Sequence, residues 1–393
     1  MAKRGYGEGS IYFNENRKLW ICEKSYIDPD TQERKRKKFA AKTQKEALAK
    51  GNKFIKSLTN GLSLAADKIT VGEWIDRWLN DYVKIKVRPR TWEKYKSCMD
   101  CYIIPKYNKI LLKDLKSPDL QRYFNSLLTS GRKDGGGLSS STIRAARRYF
   151  SACLDCGVKT GVLAKNIIKL TEPPKLIKKE VITLSKEQMK LLLTQAKIIN
   201  NDYMRMVLPS LLQLALNTGM RQGELFALKW EDINFSESCL YIRRSLACVI
   251  GKGFIFQDPK TKASKRRILL TPSDIEMLHK YWEWQINYKN DLGDKFSNND
   301  LVFCGIFGQP LHAGNFISRY FKPLIKKCHI SSNFTFHCLR HTHATILLQL
   351  GVNPKIVQER LGHSSIKTTL DTYSHVVPDI QNIAIEALDK LYK

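Results

Sequence analysis

The residues best suited to chemistry are cations placed where predicted helices begin or share a face. Arg221 follows a helix end at Gly219 and opens the next helix, so its guanidinium lies beside free backbone N–H groups, and Glu224, one turn on, can orient it. His337 and Arg340 are three residues apart and share one face of another predicted helix. Guanidinium groups bind the oxygens of anions in bidentate fashion, so both arginines are candidate anion-binding groups.

Three further candidates lie in loops and near the C-terminal end. Lys260 belongs to Pro259–Arg267, which predicts a polar hairpin tip between two strands that could place a lysine against DNA. His363 ends the run Leu361-Gly362-His363, and Tyr373 follows ten residues later.

Each candidate also has a plainer interpretation. Arg221 and Glu224 could form an ordinary intrahelical ion pair, Lys262 or Lys265 could replace Lys260, and His363 could be a satisfied histidine at a helix end. His341 and His343 are predicted to be supporting or core residues. The joint order Arg, Lys, His-x-x-Arg, Leu-Gly-His and Tyr is far more specific than any one of these segments.

In that order the residues resemble the tyrosine recombinase (phage-type integrase) family. The match covers residues 183–376, and all three parts of the chain together are similar to integrases of conjugative transposons of the Tn916 type. Position 338 is Cys where the family usually has Asp or another small polar residue, but it is not a catalytic position. The expected catalytic positions are filled by Arg221, Lys260, His337, Arg340, His363 and Tyr373.

The resemblance implies a covalent mechanism. Tyr373 would attack phosphorus to give a 3′-phosphotyrosine and a free 5′-hydroxyl, with nearby cations or His337 as base helping a phenol of pKa ~10 to ionise. Lys260 would protonate the departing 5′-oxygen. Because the phosphotyrosine stores the bond energy, no ATP is required.

The same resemblance implies that fixed hydrogen-bond donors stabilise the negative charge of the transition state. Arg221 and Arg340 would bind the non-bridging oxygens, with His337 and His363 as further donors and Glu224 in support. With cations neutralising that charge, no metal ion or other cofactor is implied.

The first 60 residues predict a small DNA-binding sheet. Strands at Ser10–Phe13, Leu19–Ile27 and Gln32–Phe39 precede a helix from Thr43 to about Leu58. A β-ribbon can enter the DNA major groove, although a solvated basic strand is the alternative. The resemblance implies an AP2-like arm-site-binding module, and its candidate DNA contacts are Arg34, Lys35, Arg36 and Lys37.

Residues 69–170 predict a helical domain that resembles the SAM-like core-binding domain. A capping box at Thr70–Glu73 opens it, and helices follow at about Thr91–Ile104, Pro118–Leu128 and Ser139–Cys156. Acidic residues that would balance the basic face are scarce, which favours phosphate contacts over a merely solvated face. The candidate contacts are Arg88, Arg90, Arg144, Arg147 and Arg148.

The predicted organisation is therefore multidomain and mainly α. An arm-site domain (1–60), a core-binding domain (69–170) and a mixed α+β catalytic domain (183–393) are separated by linkers near 60–68 and 172–179. Predicted strands of the third domain lie at Leu240–Arg243, Phe254–Phe256 and Arg267–Leu270, and an amphipathic helix at Pro378–Lys393 could dock on a neighbouring protomer or on its own domain.

Charge and composition restrict the partners and the compartment. The net charge is +29, and residues 1–170 carry +19 of it, which indicates a polyanion as partner. No apolar stretch reaches the ~20 residues that span a bilayer, and the basic start has no apolar run behind it, so we expect neither a membrane protein nor a secreted one but a bacterial cytoplasmic protein.

The ten cysteines do not suggest a disulfide scaffold. The pairs Cys98/Cys101 and Cys153/Cys156 have the spacing of a zinc site, but their helical setting favours small buried cysteines, and we expect no metal.

The sequence favours a site-specific recombinase that integrates and excises a mobile element such as a conjugative transposon. A prophage integrase, a type IB-like topoisomerase and a catalytically silent DNA-binding regulator are the alternatives. The resemblance implies double-stranded DNA as partner, a homotetramer on that DNA and an accessory excision factor. The DNA sites, the order of strand exchange and the use of Tyr373 in its own or a neighbour's active site stay open.

Overall fold

The computed structural model describes residues 9–27, 33–59, 68–132, 134–176, 181–259 and 262–373, with 385, 388 and 389. The chain divides into two compact units, Met1–Lys178 and Lys179–Lys393. Lys260, residues 60–67 of the predicted linker at 60–68, and most of the predicted helix at Pro378–Lys393 lie outside the described residues.

The first unit begins with an antiparallel sheet and a helix, as predicted. Strands β1 (Ser10–Asn14), β2 (Leu19–Ile27) and β3 (Arg34–Ala41) pair in that order, and α1 (Gln44–Thr59) packs on one face. Its small core contains Cys22, Ala41 and Ala47.

The rest of the first unit is a helical bundle. Thr70 caps its first helix through a reciprocal box, because its side chain accepts from the Glu73 N–H and the Glu73 carboxylate accepts from the Thr70 N–H. The Trp74 indole donates to the Cys153 carbonyl (3.0 Å), which ties the first helix of the bundle to the last. The helices are α2 (Val71–Arg77, continued by a π-helical turn Trp78–Val83), α3 (Pro89–Tyr102), α4 (Ile104–Tyr107), α5 (Ser117–Ser130) and α6 (Ser140–Lys159).

The two Cys-x2-Cys pairs belong to α3 and α6. Burial raises the pKa of the Cys98 thiol to about 12, and Cys153 is fully buried. No group of three His, Cys, Asp or Glu side chains in the described part of the chain is placed to hold a metal ion.

The second unit surrounds one central helix. Its helices are α7 (Lys186–Ala196), α8 (Asp202–Thr218), α9 (Gln222–Leu225), α10 (Pro272–Leu292), α11 (Ala313–Phe316), α12 (Lys322–Lys327), α13 (Phe336–Gln349), α14 (Pro354–Leu361) and α15 (Ile366–Tyr373). Helix α8 is apolar on nearly every side, and α7, α10 and α13 pack around it.

The strands of this unit form two small antiparallel sheets. They are β4 (Ile233–Asn234), β5 (Cys239–Ile242), β6 (Ser245–Val249), β7 (Gly253–Gln257) and β8 (Arg266–Leu269), paired as β4-β5-β8 and β6-β7. The predicted hairpin tip at Pro259–Arg267 is therefore wrong, because β7 pairs with β6 and β8 pairs with β5. The hairpin closes earlier, where Gly251 and Gly253 adopt left-handed backbone conformations.

Among the described residues, no helix is long and apolar enough to cross a membrane. The mainly helical, multidomain fold with an N-terminal sheet is thus confirmed.

Candidate active site

The centre of the site is the junction that follows α8. Gly219 ends this helix with a φ of +63°, a conformation that favours glycine. A Cβ at this position would lie 2.7 Å from His343 Cδ2 and 2.7 Å from Leu361 Cδ2. The missing side chain therefore allows α13 and α14 to approach the end of α8 closely.

Arg221 lies immediately after this junction, as the N-cap of α9. Its backbone N–H donates to Glu224 Oε2 (3.0 Å), its Nη1 donates to Glu224 Oε1 (2.7 Å) and its Nη2 donates to the Gly362 carbonyl (3.2 Å). The Arg221 side chain is 38% exposed, whereas that of Glu224 is 3% exposed. Glu224 thus fixes a guanidinium that remains accessible to a ligand, as the sequence suggested.

The carboxyl of Glu224 is ionised despite its burial. Burial by itself would raise the pKa of this group, but the neighbouring Arg266 and Arg221 outweigh burial and lower it. The carboxylate is therefore available as a charged partner for both guanidinium groups.

Arg340 approaches from α13 and is held by neutral acceptors. Its Nη1 donates to the Gly219 carbonyl (2.8 Å) and its Nη2 donates to the Leu361 carbonyl (2.7 Å). These carbonyls belong to the C-terminal ends of α8 and α14, where the helix dipole is negative. The arrangement orients the guanidinium through two backbone carbonyls.

The predicted residues His337 and His363 both lie within the electrostatic influence of these two arginines. Burial and then the positive charges of Arg340 and Arg221 lower the pKa of His337, and the same influences lower the pKa of His363 to about 4. Both imidazoles are therefore neutral near pH 7. His363 Nδ1 lies 2.8 Å from Thr369 Oγ1 in α15.

The two remaining predicted residues are only partly covered. Tyr373 is the last residue of α15, so its backbone is placed but its side chain lies outside the described part of the structure, as does the whole of Lys260. Their roles stay predictions.

A second layer of polar residues, which includes Arg266, Arg360 and His343, lies behind Arg221 and Arg340. The sequence analysis predicted no supporting role for either Arg266 or Arg360. Arg266 Nη2 donates to Glu224 Oε2 (3.0 Å), and Arg360 Nη2 donates to the Asn217 carbonyl (2.8 Å). His343 bridges Arg360 Nε (3.3 Å) and the Leu216 carbonyl (2.7 Å), and burial lowers its pKa to about 3.

One signal for Arg266 was present in the sequence. In β8, the side chain of Ile268 is buried and the flanking Arg267 and Leu269 are exposed. The alternation of a strand therefore places Arg266 on the inner face with Ile268. Arg360 carries no comparable signal.

In the sheet of the first unit, the predicted DNA contacts divide between two faces. Lys37 lies on the helix side, with its Nζ 4.5 Å from the centroid of the Phe54 ring. Because side chains alternate, Lys35 shares that face, and Arg34 and Arg36 lie on the opposite, exposed face.

The predicted contacts of the helical bundle also differ from one another. Arg147 donates to Thr171 Oγ1 (2.9 Å) and to the Ile168 carbonyl (3.0 Å), so it binds the backbone of its own unit. Arg144 donates to the Pro174 carbonyl (2.9 Å) and Arg148 lies over the Tyr149 ring, but both are exposed. Arg88 and Arg90 are exposed at the start of α3.

Two sequence profiles match this chain. The profile described as "Phage integrase family" matches residues 183–379, and the profile "Phage integrase, N-terminal SAM-like domain" matches residues 70–128. Together they cover the second unit's candidate site and the first part of the helical bundle.

Individual proteins agree with these profiles. The "Tyrosine recombinase XerC-like" protein of Caldanaerobacter subterraneus subsp. tengcongensis is 33% identical over 91% of this chain and 92% of its own length. The "Transposase from transposon Tn916" of Enterococcus faecalis is 24% identical over 85% of this chain and 81% of its own length.

Solved structures share the fold. The Tn1549 transposon integrase, in complex with transposon right end DNA, superposes with a TM-score of 0.67 at 20% identity, over 83% of this chain and 100% of that one. A lambda integrase tetramer bound to a Holliday junction gives a TM-score of 0.55 at 22% identity, over 90% of this chain and 95% of that one.

Proposed function

Because the chain belongs to the phage integrase family, and is a tyrosine recombinase that cleaves and rejoins DNA, we propose that Arg221 and Arg340 bind the phosphate that Tyr373 attacks. One observation carries this assignment. Arg340 is held by the carbonyls that end α8 and α14, and Arg221 binds the adjacent carbonyl of Gly362, so both guanidinium groups are held at the same turn. Fixed donors of this kind stabilise developing negative charge without reorganisation.

The protonation states fit the proposed chemistry. A neutral His337 can accept the phenol proton of Tyr373 as its oxygen bonds to phosphorus, because the pKa of His337 lies below its ordinary value. The bond from phosphorus to the 5′-oxygen breaks, and Lys260 supplies the proton that this oxygen needs. Religation reverses these steps, with the 5′-hydroxyl as nucleophile and the tyrosine as leaving group.

We assign DNA binding outside the catalytic group to both modules of the first unit. Arg34 and Arg36 lie on the exposed face of the sheet, and that face is free of α1, which makes it suitable for a groove of the duplex. In the helical bundle, Arg90 and Arg148 suit phosphate contacts better than the internally bonded Arg147.

At the level of the whole reaction, we propose integration and excision of a mobile element by a homotetramer in the bacterial cytoplasm, with an accessory factor for excision. The likeness to the Tn1549 transposon integrase and to the lambda integrase tetramer supports this assignment. Three domains with boundaries near 60–69 and 170–183 are part of the same proposal.

The test is covalent trapping of a nicked suicide substrate that carries an element end. The wild-type chain should form a protein–DNA adduct, and Tyr373→Phe should form none while binding the same DNA. Tyr241→Phe is a matched control in the same unit and should retain the adduct. Cleavage by Tyr373→Phe would refute the proposal, and binding without cleavage by the wild-type chain would indicate the silent regulator instead.

A two-site assay separates recombination from simple relaxation. The proposed function requires exchange between two recombination sites on one plasmid. Relaxation of supercoils on a plasmid without such sites, with no exchange on the two-site plasmid, would indicate the topoisomerase alternative.

A further inference from the structure

We propose that Arg266 is a positioning residue for DNA cleavage, which acts on the phosphate through Glu224 and Arg221. The inference rests on the proposed role of Arg221. It adds to the catalytic residues a side chain that we expect not to contact the substrate.

The guanidinium of Arg266 connects three separate segments of the second unit. Its Nη2 donates to Glu224 Oε2 in α9 (3.0 Å), its Nε donates to the Arg360 carbonyl in the last turn of α14 (2.7 Å), and its Nη1 donates to the Ser264 carbonyl (3.0 Å). All three kinds of nitrogen in this side chain are therefore engaged inside the protein.

Burial distinguishes Arg266 from Arg221, the arginine through which we propose that it acts. Its side chain is 6% exposed, whereas the Arg221 side chain is 38% exposed. Arg266 also lies behind the turn at Gly362, because a Cβ at that glycine would approach Arg266 Nη1 to 3.1 Å. We therefore expect Arg266 to influence the substrate only through its neighbours.

Glu224 links Arg266 to Arg221 because its carboxylate accepts hydrogen bonds from both arginines. Its Oε1 accepts from Arg221 Nη1, and its Oε2 accepts from both Arg266 and the Arg221 backbone N–H. Among the influences that lower the pKa of this carboxyl, the charge of Arg266 is the strongest. Without Arg266 the carboxylate loses its second charged partner, and Arg221 is held less firmly.

Lysine cannot replace this arginine. An ammonium group could keep the charge beside Glu224, but it lacks the planar fork that reaches three segments at once. Arg266→Lys is therefore a test of geometry at constant charge, and Arg266→Gln tests the loss of charge.

The experiment measures single-turnover cleavage at saturating DNA, with the full-length chain. Two suicide substrates are compared, one with the natural scissile phosphate and one with a methylphosphonate, in which a methyl group replaces a non-bridging oxygen and removes its charge. If Arg266 positions Arg221 for that charge, Arg266→Lys should slow cleavage of the phosphate by about 10²-fold, the scale expected for a misplacement of about 1 Å. It should slow cleavage of the methylphosphonate by much less, and the affinity for DNA should not change.

Arg244→Lys is the matched control. Arg244 pairs with Asp232 (3.1 Å), a carboxylate as buried as Glu224, and with Glu231 (2.7 Å), so its substitution disturbs a comparable ion pair elsewhere in the unit. We expect equal cleavage rates for this variant and the wild-type chain on both substrates.

Equal losses for Arg266→Lys on the two substrates would overturn the inference, because a structural defect does not depend on the charge of the substrate. If no variant cleaves the methylphosphonate, a double-mutant cycle with Glu224→Gln provides the test. The double variant should cleave the phosphate substrate about as slowly as the slower single variant, because both substitutions disturb the same contact. A rate loss equal to the product of the two single losses would overturn the inference. Failure of the proposed function has a different signature, since the wild-type chain would then form no adduct at Tyr373.

Discussion

Replacement of Gly219 by alanine should destabilise the second unit for two separable reasons. The first is the left-handed backbone at φ +63°, which costs an L-residue about 1–2 kcal/mol. The second is overpacking, because the new Cβ would lie 2.7 Å from both His343 Cδ2 and Leu361 Cδ2, and both side chains are buried. Overpacking of this kind typically costs about 1–3 kcal/mol, so the total for Gly219→Ala is roughly 2–5 kcal/mol.

Gly251→Ala isolates the backbone contribution. Gly251 has a φ of +73°, but nothing lies within 4 Å of a Cβ built at this position. We therefore expect a loss of about 1–2 kcal/mol, from the backbone alone. Both glycines belong to the second unit, so the two variants report on the same unfolding transition.

Stability is measured by urea unfolding of the full-length chain. Cleavage of the suicide substrate is measured separately, without urea, under conditions where both variants are folded. Because the Gly219 carbonyl accepts from Arg340 Nη1, its displacement should also slow cleavage, by about 10²-fold for a shift near 1 Å. Gly251→Ala should cleave normally. Equal free energies of unfolding for the two variants would refute the packing argument, and normal cleavage by a destabilised Gly219→Ala would refute the proposed link to Arg340.

Two further predictions concern protonation and DNA binding. Burial lowers the pKa of His343 to about 3 in the folded chain. Between pH 3 and 6.5 the unfolded chain therefore binds one proton that the folded chain does not. The free energy of unfolding falls as the pH falls through this range, by up to about 1.4 kcal/mol per pH unit. His343→Gln should flatten the dependence of the unfolding free energy on pH between 6.5 and 5, and equal slopes in this variant and the wild-type chain would contradict this account. Arg36→Ala should weaken binding to arm-site DNA and reduce the slope of log affinity against log salt by about 1, whereas Lys35→Ala, on the helix side of the sheet, should have less effect in a gel-shift titration at several salt concentrations. A larger effect of Lys35→Ala would show that the binding face is assigned wrongly.

Local signals in the sequence were sufficient for much of the fold. The capping box at Thr70 needs only residues within one turn, and it is present at the helix start that it predicted. The ion pair of Arg221 with Glu224 spans three residues and was predicted for the same reason. Short-range geometry is dictated by the residues that form it.

The errors and omissions depend on contacts between distant residues. The hairpin at Pro259–Arg267 was predicted from two strand-like runs, but β8 pairs with β5, whose partners precede it by 24 to 30 residues in the chain. Arg266 and Arg340 are fixed by backbone carbonyls of Arg360 and Gly219, and a carbonyl is present at every residue, so no residue type indicates such a partner in advance. Only the folded chain shows which carbonyls converge.

The helix-end carbonyls that hold Arg340 have a consequence for ionic strength. The DNA contacts that we propose for the first unit are exposed arginines, and neutralisation of DNA phosphates by such side chains releases the cations condensed on the duplex, so added salt weakens this binding directly. Arg340 is buried and its partners are part of the protein, and interactions between buried groups are screened much less. Rising salt should thus release the chain from DNA well before it slows strand cleavage in a complex that has already formed.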